Sequence, residues 1–168
     1  IYYNIDQSLP ADLASTVATN KMRDEFDMAT THFIIVDDSM PAYQMRQMED
    51  EIRRTDGVAS VLAYNEFVGP GIPDSFIPQE VRDICKKDGM QMIMVNSRYK
   101  AARPEENAQI DALTEIVKRY DPTGLITGEG VMTKDLSDIT TVDIQVTNML
   151  SIAAILLIVA ICFKSVTI

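Results

Sequence analysis

Along this chain the apolar residues recur every three or four positions, then every two, and the two periods keep alternating. The first period marks a helix with one buried face and the second a strand. After Leu9-Pro10, residues 12–28 place Ala14, Ala18, Met22 and Phe26 at spacing four beside Leu13 and Val17, which predicts a first helix with an apolar stripe. Residues 31–36 (THFIIV), closed by Asp37-Asp38, predict a strand. Pro41 opens a second helix with Met45, Met48 and Ile52 on one face, ended at Asp56-Gly57, and residues 58–67 predict a second strand. The segment GPGIPDSFIP, residues 69–78, is a Gly/Pro linker. A short helix carrying Ile77, Val81, Ile84 and Cys85 follows it, then a turn at Lys86-Lys87-Asp88-Gly89. Residues 90–96 (MQMIMVN) predict a third strand. Residues 104–120 predict a long helix with Ile110, Leu113, Ile116, Val117 and Tyr120 in register and a stop at Asp121-Pro122. Residues 125–130 predict a fourth strand, broken by glycine.

Without the first helix and the linker helix, the order is strand, helix, strand, strand, helix, strand. This is the split βαββαβ arrangement called ferredoxin-like, an α+β fold with two helices on one face of an antiparallel sheet. The third strand is apolar on both sides: Met90, Met92 and Met94 point one way, Ile93 and Val95 the other. Such a strand is expected to be covered on both faces. The cover for the helix-free face is then the first helix, the linker helix or another domain.

The chain closes on a different pattern. From Met149 to Phe163 the only side chain that is not apolar is Ser151, and Lys164 ends the run. Read back to the last acid, Asp143, the segment 144–163 is about long enough for the roughly 20 helical residues that cross a hydrocarbon core of about 30 Å. It has no polar stripe of the kind a buried core helix shows. With Thr133 or Asp135 as cap, Leu136, Ile139 and Val146 continue at helical spacing, and no Gly or Pro occurs from Met132 onward. One unbroken helix over 133–164 is expected, with residues 165–168 beginning the far side.

Composition narrows the class. Of 168 residues, 15 are Lys or Arg and 25 are Asp or Glu, a net charge of -10, which argues against nucleic acid and against anionic headgroups as docking partners of the body. Lys164 after the span places residues 1–132 on the extracytoplasmic side by the positive-inside rule. Cys85 and Cys162, one in the body and one in the span, exclude a disulfide framework.

Candidate chemistry is sparse. The Met90, Met92 and Met94 row offers soft thioethers to Cu(I), but an apolar core or interface stripe is the simpler reading. Asp37 and Asp38 diverge from a strand end, and His32, the one histidine, reads as a satisfied structural residue. No Gly-rich phosphate loop, nucleophile motif or metal-ligand cluster is present, so neither an enzyme nor a bound cofactor or metal is expected.

Asn4-Ile5-Asp6, Leu9-Pro10 and Ser15 resemble the segment that follows the first transmembrane helix in exporters of the resistance-nodulation-division (RND) superfamily, in its MMPL-type branch. Lys87-Asp88-Gly89, Thr127-Gly128-Glu129, Asp143 and Phe163-Lys164-Ser165 follow in the family's order, although Ile5 stands where the family usually has Tyr. The resemblance implies a piece of a multi-pass cell-membrane transporter: the first extracytoplasmic, porter-type domain plus the second transmembrane helix. It implies proton-driven export of hydrophobic or amphipathic molecules such as lipids or drugs. The partners would be the bilayer, the remaining transmembrane helices and a second porter-like domain. The substrate path or domain interface would involve Met90, Met92 and Met94, with Leu136, Ile139, Asp143 and Val146 on the coupling helix. The proton-carrying residues of the family lie on later helices, outside this chain. The alternative function is a membrane-anchored ligand-binding or sensor module without transport.

Overall fold

The structure is a computed structural model that describes residues 9–67 and 78–163. The chain divides into two compact units, residues 1–133 and 134–168. The Gly/Pro linker falls largely outside the described residues.

In the first unit the elements are α1 (Ala14–Phe26), β1 (Thr30–Asp37), α2 (Ala42–Arg54), β2 (Val58–Leu62), α3 (Tyr64–Phe67), α4 (Gln79–Cys85), β3 (Lys86–Lys87), β4 (Met90–Ser97), α5 (Pro104–Tyr120) and β5 (Leu125–Gly128). The helix α6 (Glu129–Phe163) begins at its end. The strands form one antiparallel sheet in the order β2-β4-β1-β5, with β3 paired to β4. With β3 set aside, this is the strand order of a ferredoxin-like fold, and α2 and α5 pack together as its helices.

The core lies between that helix pair and one sheet face. Ile34 and Val36 from β1 and Ile93 and Val95 from β4 meet Met48 and Ile52 from α2 and Leu113 and Val117 from α5, all of them buried. The predicted stripes of α2 and α5 are therefore the faces that pack. Each long buried side chain here contributes about 1.5–3 kcal/mol by leaving water. Pro104 sits in the first turn of α5, where its missing N–H costs nothing, and Glu105 and Glu106 follow it at the positive end of the helix dipole.

Five features differ from the sequence reading. β2 ends at Leu62 rather than residue 67, because Ala63 and Tyr64 turn inward and bury, and α3 follows as a single helical turn. Lys86 and Lys87 are a short strand as well as part of a turn: Asp88 (φ 52°) and Gly89 (φ 77°) are both left-handed, the signature of a two-residue hairpin. The last helix begins at Glu129 rather than at a cap on Thr133 or Asp135, and the Thr133 hydroxyl donates within it to the Glu129 carbonyl (2.8 Å). The apolar stripe of α1 is not buried. No residue of α1 is buried, and Phe26 is 63 % exposed, so α1 is not the cover of the open sheet face. His32 is buried but not satisfied, as described below.

In the second unit, α6 runs on to Phe163 and is long and apolar enough to cross a membrane. Its large apolar residues Leu150, Ile152, Ile155, Leu156, Leu157, Ile158 and Ile161 are exposed and lie on all sides of the helix. The hydroxyls of Thr140, Thr141 and Ser151 each donate to the carbonyl four residues back, at 2.7, 2.8 and 2.8 Å, so these polar groups carry their own partners. That suits them to a medium without water.

Candidate functional site

The helix-free face of the sheet is apolar and open among the described residues. β4 runs between β1 and β2, so Met94 stands opposite both Phe33 and Leu62, and Met92 opposite Ile35. Leu125 of β5 extends the patch from the other side of Ile35. Met92, Met94, Phe33 and Ile35 are half-buried, whereas Met90 (39 %), Leu62 (45 %) and Leu125 (55 %) are exposed. At the end of this face the Thr31 hydroxyl donates to Oδ1 of the Asn96 side chain (2.9 Å), and Nδ2 of Asn96 donates to the Ser60 hydroxyl (2.8 Å), a polar clasp across three strands. The row of methionines thus lies in a shallow apolar field of at least seven side chains. His32, one position along from Phe33, points to the opposite face.

On the core side of the sheet, at the end where α5 begins, lies a buried polar patch. His32 on β1 and Glu106 on α5 are both fully buried, with Nε2 and Oε1 4.0 Å apart. Neither ring nitrogen and neither carboxylate oxygen makes a hydrogen bond among the described residues. Burial therefore dominates both groups: it holds the His32 imidazole below its ordinary range and pushes the Glu106 carboxyl above its own. Gln109, the Thr30 hydroxyl and the Ala102 amide are near enough to oppose these shifts but outside hydrogen-bonding geometry. The carboxylate backs onto Gly130 in the first turn of α6, where a Cβ would stand 1.9 Å from Oε1, so a larger residue there would have to displace the Glu106 carboxylate.

A cleft of about 370 Å³ opens between α1 and the loops at one end of the sheet. Ser15, Thr16, Thr19, Asn20 and Arg23 line it from α1, spaced so that they share one helical arc. Thr30, Lys100 and Glu129 line it from the other side.

The remaining sequence candidates are separated. Asp37 accepts from the Ser39 amide (2.7 Å) and its own amide donates to Asp121 (2.8 Å), whereas Asp38 pairs with Lys86 (2.6 Å), so the two carboxylates do not act together. Among the described residues no three His, Cys, Asp or Glu side chains converge as for a metal ion. Burial pushes the Cys85 thiol up, away from a reactive thiolate. Leu136, Ile139, Asp143 and Val146 are exposed on α6 in the second unit.

Two sites escaped the sequence reading although each leaves a trace there. Glu106 falls at the i, i+4, i+7, i+11 positions of the core stripe with Ile110, Leu113 and Val117, where a carboxylate is out of place. The polar arc of α1 is equally periodic in the sequence, but it lies on the same helix as an apolar stripe of similar period. A family model described as the MMPL family matches residues 7–168. No curated protein matches the chain. With the match extending over nearly its whole length, and with a ferredoxin-like domain followed by a span-length apolar helix, the chain belongs to the MMPL family of RND-type membrane transporters.

Proposed function

We propose that residues 1–132 form an extracytoplasmic porter-type domain of a proton-driven exporter, that α6 carries the chain through the bilayer at about 144–163, and that residues 165–168 begin the cytoplasmic side. The domain lines or gates the external path of a hydrophobic or amphipathic substrate, against a second porter-like domain of the same protein. The observation that carries this reading is the open sheet face. A patch of at least seven apolar side chains around Met92 and Met94 is larger than scattered surface residues account for, and such patches serve as interfaces or ligand-binding surfaces. Methionine suits a surface that must repack against varied apolar cargo. Family membership and the span-length α6 supply the membrane setting.

The test is topology in living cells. Single cysteines replace Asp83, exposed on α4, and Ser165 in a full-length protein lacking Cys85 and Cys162. A membrane-impermeant maleimide is expected to label the first and not the second. Labelling of neither until the cells are lysed would put the domain in the cytoplasm and end the exporter reading.

A further inference from the structure

We propose that the cleft along α1 binds the anionic headgroup of an amphiphile, a phosphate or sulfate ester attached to a hydrocarbon chain. The inference rests on the export reading only in treating that amphiphile as cargo. Helices that pack on a domain turn their apolar stripe inward. In α1 that stripe is left outside: Val17, Met22 and Phe26, with Leu13 just before the helix, are exposed, and the arc beside the cleft carries half-buried Thr16, Asn20 and Arg23 with Ser15 and Thr19 at its rim. Polar groups facing a cavity instead of bulk water need a reason, because a buried donor without an acceptor costs about 1–3 kcal/mol. Thr16 presents such a donor, since its Oγ1 is buried without a hydrogen-bond partner among the described residues.

The charges select an anion. Lys100 faces the α1 arc from the opposite wall and makes no ion pair among the described residues, although the chain carries a net charge of -10. Arg23 is anchored by Asp24 through Nε (2.8 Å) and Nη2 (3.4 Å), which leaves Nη1 for a ligand oxygen. An ammonium, a guanidinium edge and several hydroxyls suit a tetrahedral oxyanion, whose oxygens accept in several directions at once. Glu129, the one carboxylate of the lining, accepts the P–OH of a singly charged phosphate ester and disfavours a dianion. Leu9, Ala11, Ala29 and Ala101 supply the apolar remainder. At about 370 Å³ the cleft falls within the range of small-molecule sites, about 300–1,000 Å³, and has room for a headgroup with the first carbons of a chain.

Binding of hexyl phosphate, short enough to remain largely in water, is measured calorimetrically on the full-length protein in phosphatidylcholine nanodiscs. Inorganic phosphate and hexyl glucoside are the comparisons. Hexyl phosphate is expected to bind at least about tenfold more tightly than either, and Lys100→Glu to weaken it at least about tenfold, the scale of one hydrogen bond to a charged group. Thr19→Leu, which fills the cleft from an exposed helix position, is expected to weaken it as much. Equal affinity for inorganic phosphate would mean a free-anion site, equal affinity for the glucoside a sugar site, and indifference to both substitutions no site in this cleft; each overturns the proposal. The titration uses no proton gradient, so its failure leaves the export reading to the labelling experiment.

Discussion

At Glu106 both carboxyl oxygens lie in the domain interior, facing His32 on β1 and the backbone of Gly130 at the start of α6, with the Glu129 charge close enough to oppose ionisation further. Burial raises the Glu106 pKa above its ordinary 4.5, so the folded domain holds that proton more tightly than the unfolded chain does. The stabilising contribution is complete below pH 4.5 and is lost as pH rises through the folded value. Glu106→Gln removes the penalty while keeping the shape. Its melting temperature is therefore expected to exceed that of the wild type at pH 8, with the gap closing as pH approaches 4. A gap independent of pH would refute the assignment. His32 has the opposite sign: its folded pKa is lowered from 6.5, so its contribution is present above that pH and fades on acidification.

At the scale of elements, periodicity identifies a stripe but not the surface that the stripe meets. The α2 stripe packs, and Ile52 is 0 % exposed, whereas the α1 stripe faces outward with Phe26 63 % exposed. Ile52→Ala is expected to cost about 2–5 kcal/mol and Phe26→Ala less than about 0.5 kcal/mol. Native-state hydrogen exchange at the core amides of β1 and β4 measures both, and comparable costs would mean that α1 is packed as α2 is. For α6 the expectation concerns continuity. Ile139→Pro removes one backbone hydrogen bond and clashes with the carbonyl four residues back, at about 3 kcal/mol or more. If this helix couples domain motion to the membrane part, export falls to background while the amount of protein in the membrane is unchanged. Normal export with the broken helix would rule the coupling out.

For the molecule as a whole, the open sheet face is the surface on which a transport function would register. Met92→Glu places a charge in the centre of the patch without touching the Ile93 and Val95 side of the strand. Export is expected to drop at least about tenfold with melting temperature nearly unchanged, since half-exposed substitutions away from the core usually shift stability by about 0.5 kcal/mol. Unimpaired export by this variant would remove the face from the substrate path. Much of the architecture was legible beforehand. The sequence pattern of α5 matches the helix to the residue, from Pro104 to the stop at Asp121-Pro122, and the strand order follows from the βαββαβ sequence by the short-connection and crossover rules.

The sequence by itself determined the number and kind of the main elements, the core stripes of α2 and α5, and the span-length apolar segment, because those depend on local period and on how long an apolar run persists. Tertiary structure decided what each stripe meets. It turned α1 so that its polar arc lines a cleft, ended β2 where Ala63 and Tyr64 enter the core, and brought Glu106 within 4.0 Å of His32, 74 positions away in the chain. Contacts between residues so far apart are set by the register of strands and the packing of helices across the sheet, and neither is written in the spacing of any one segment.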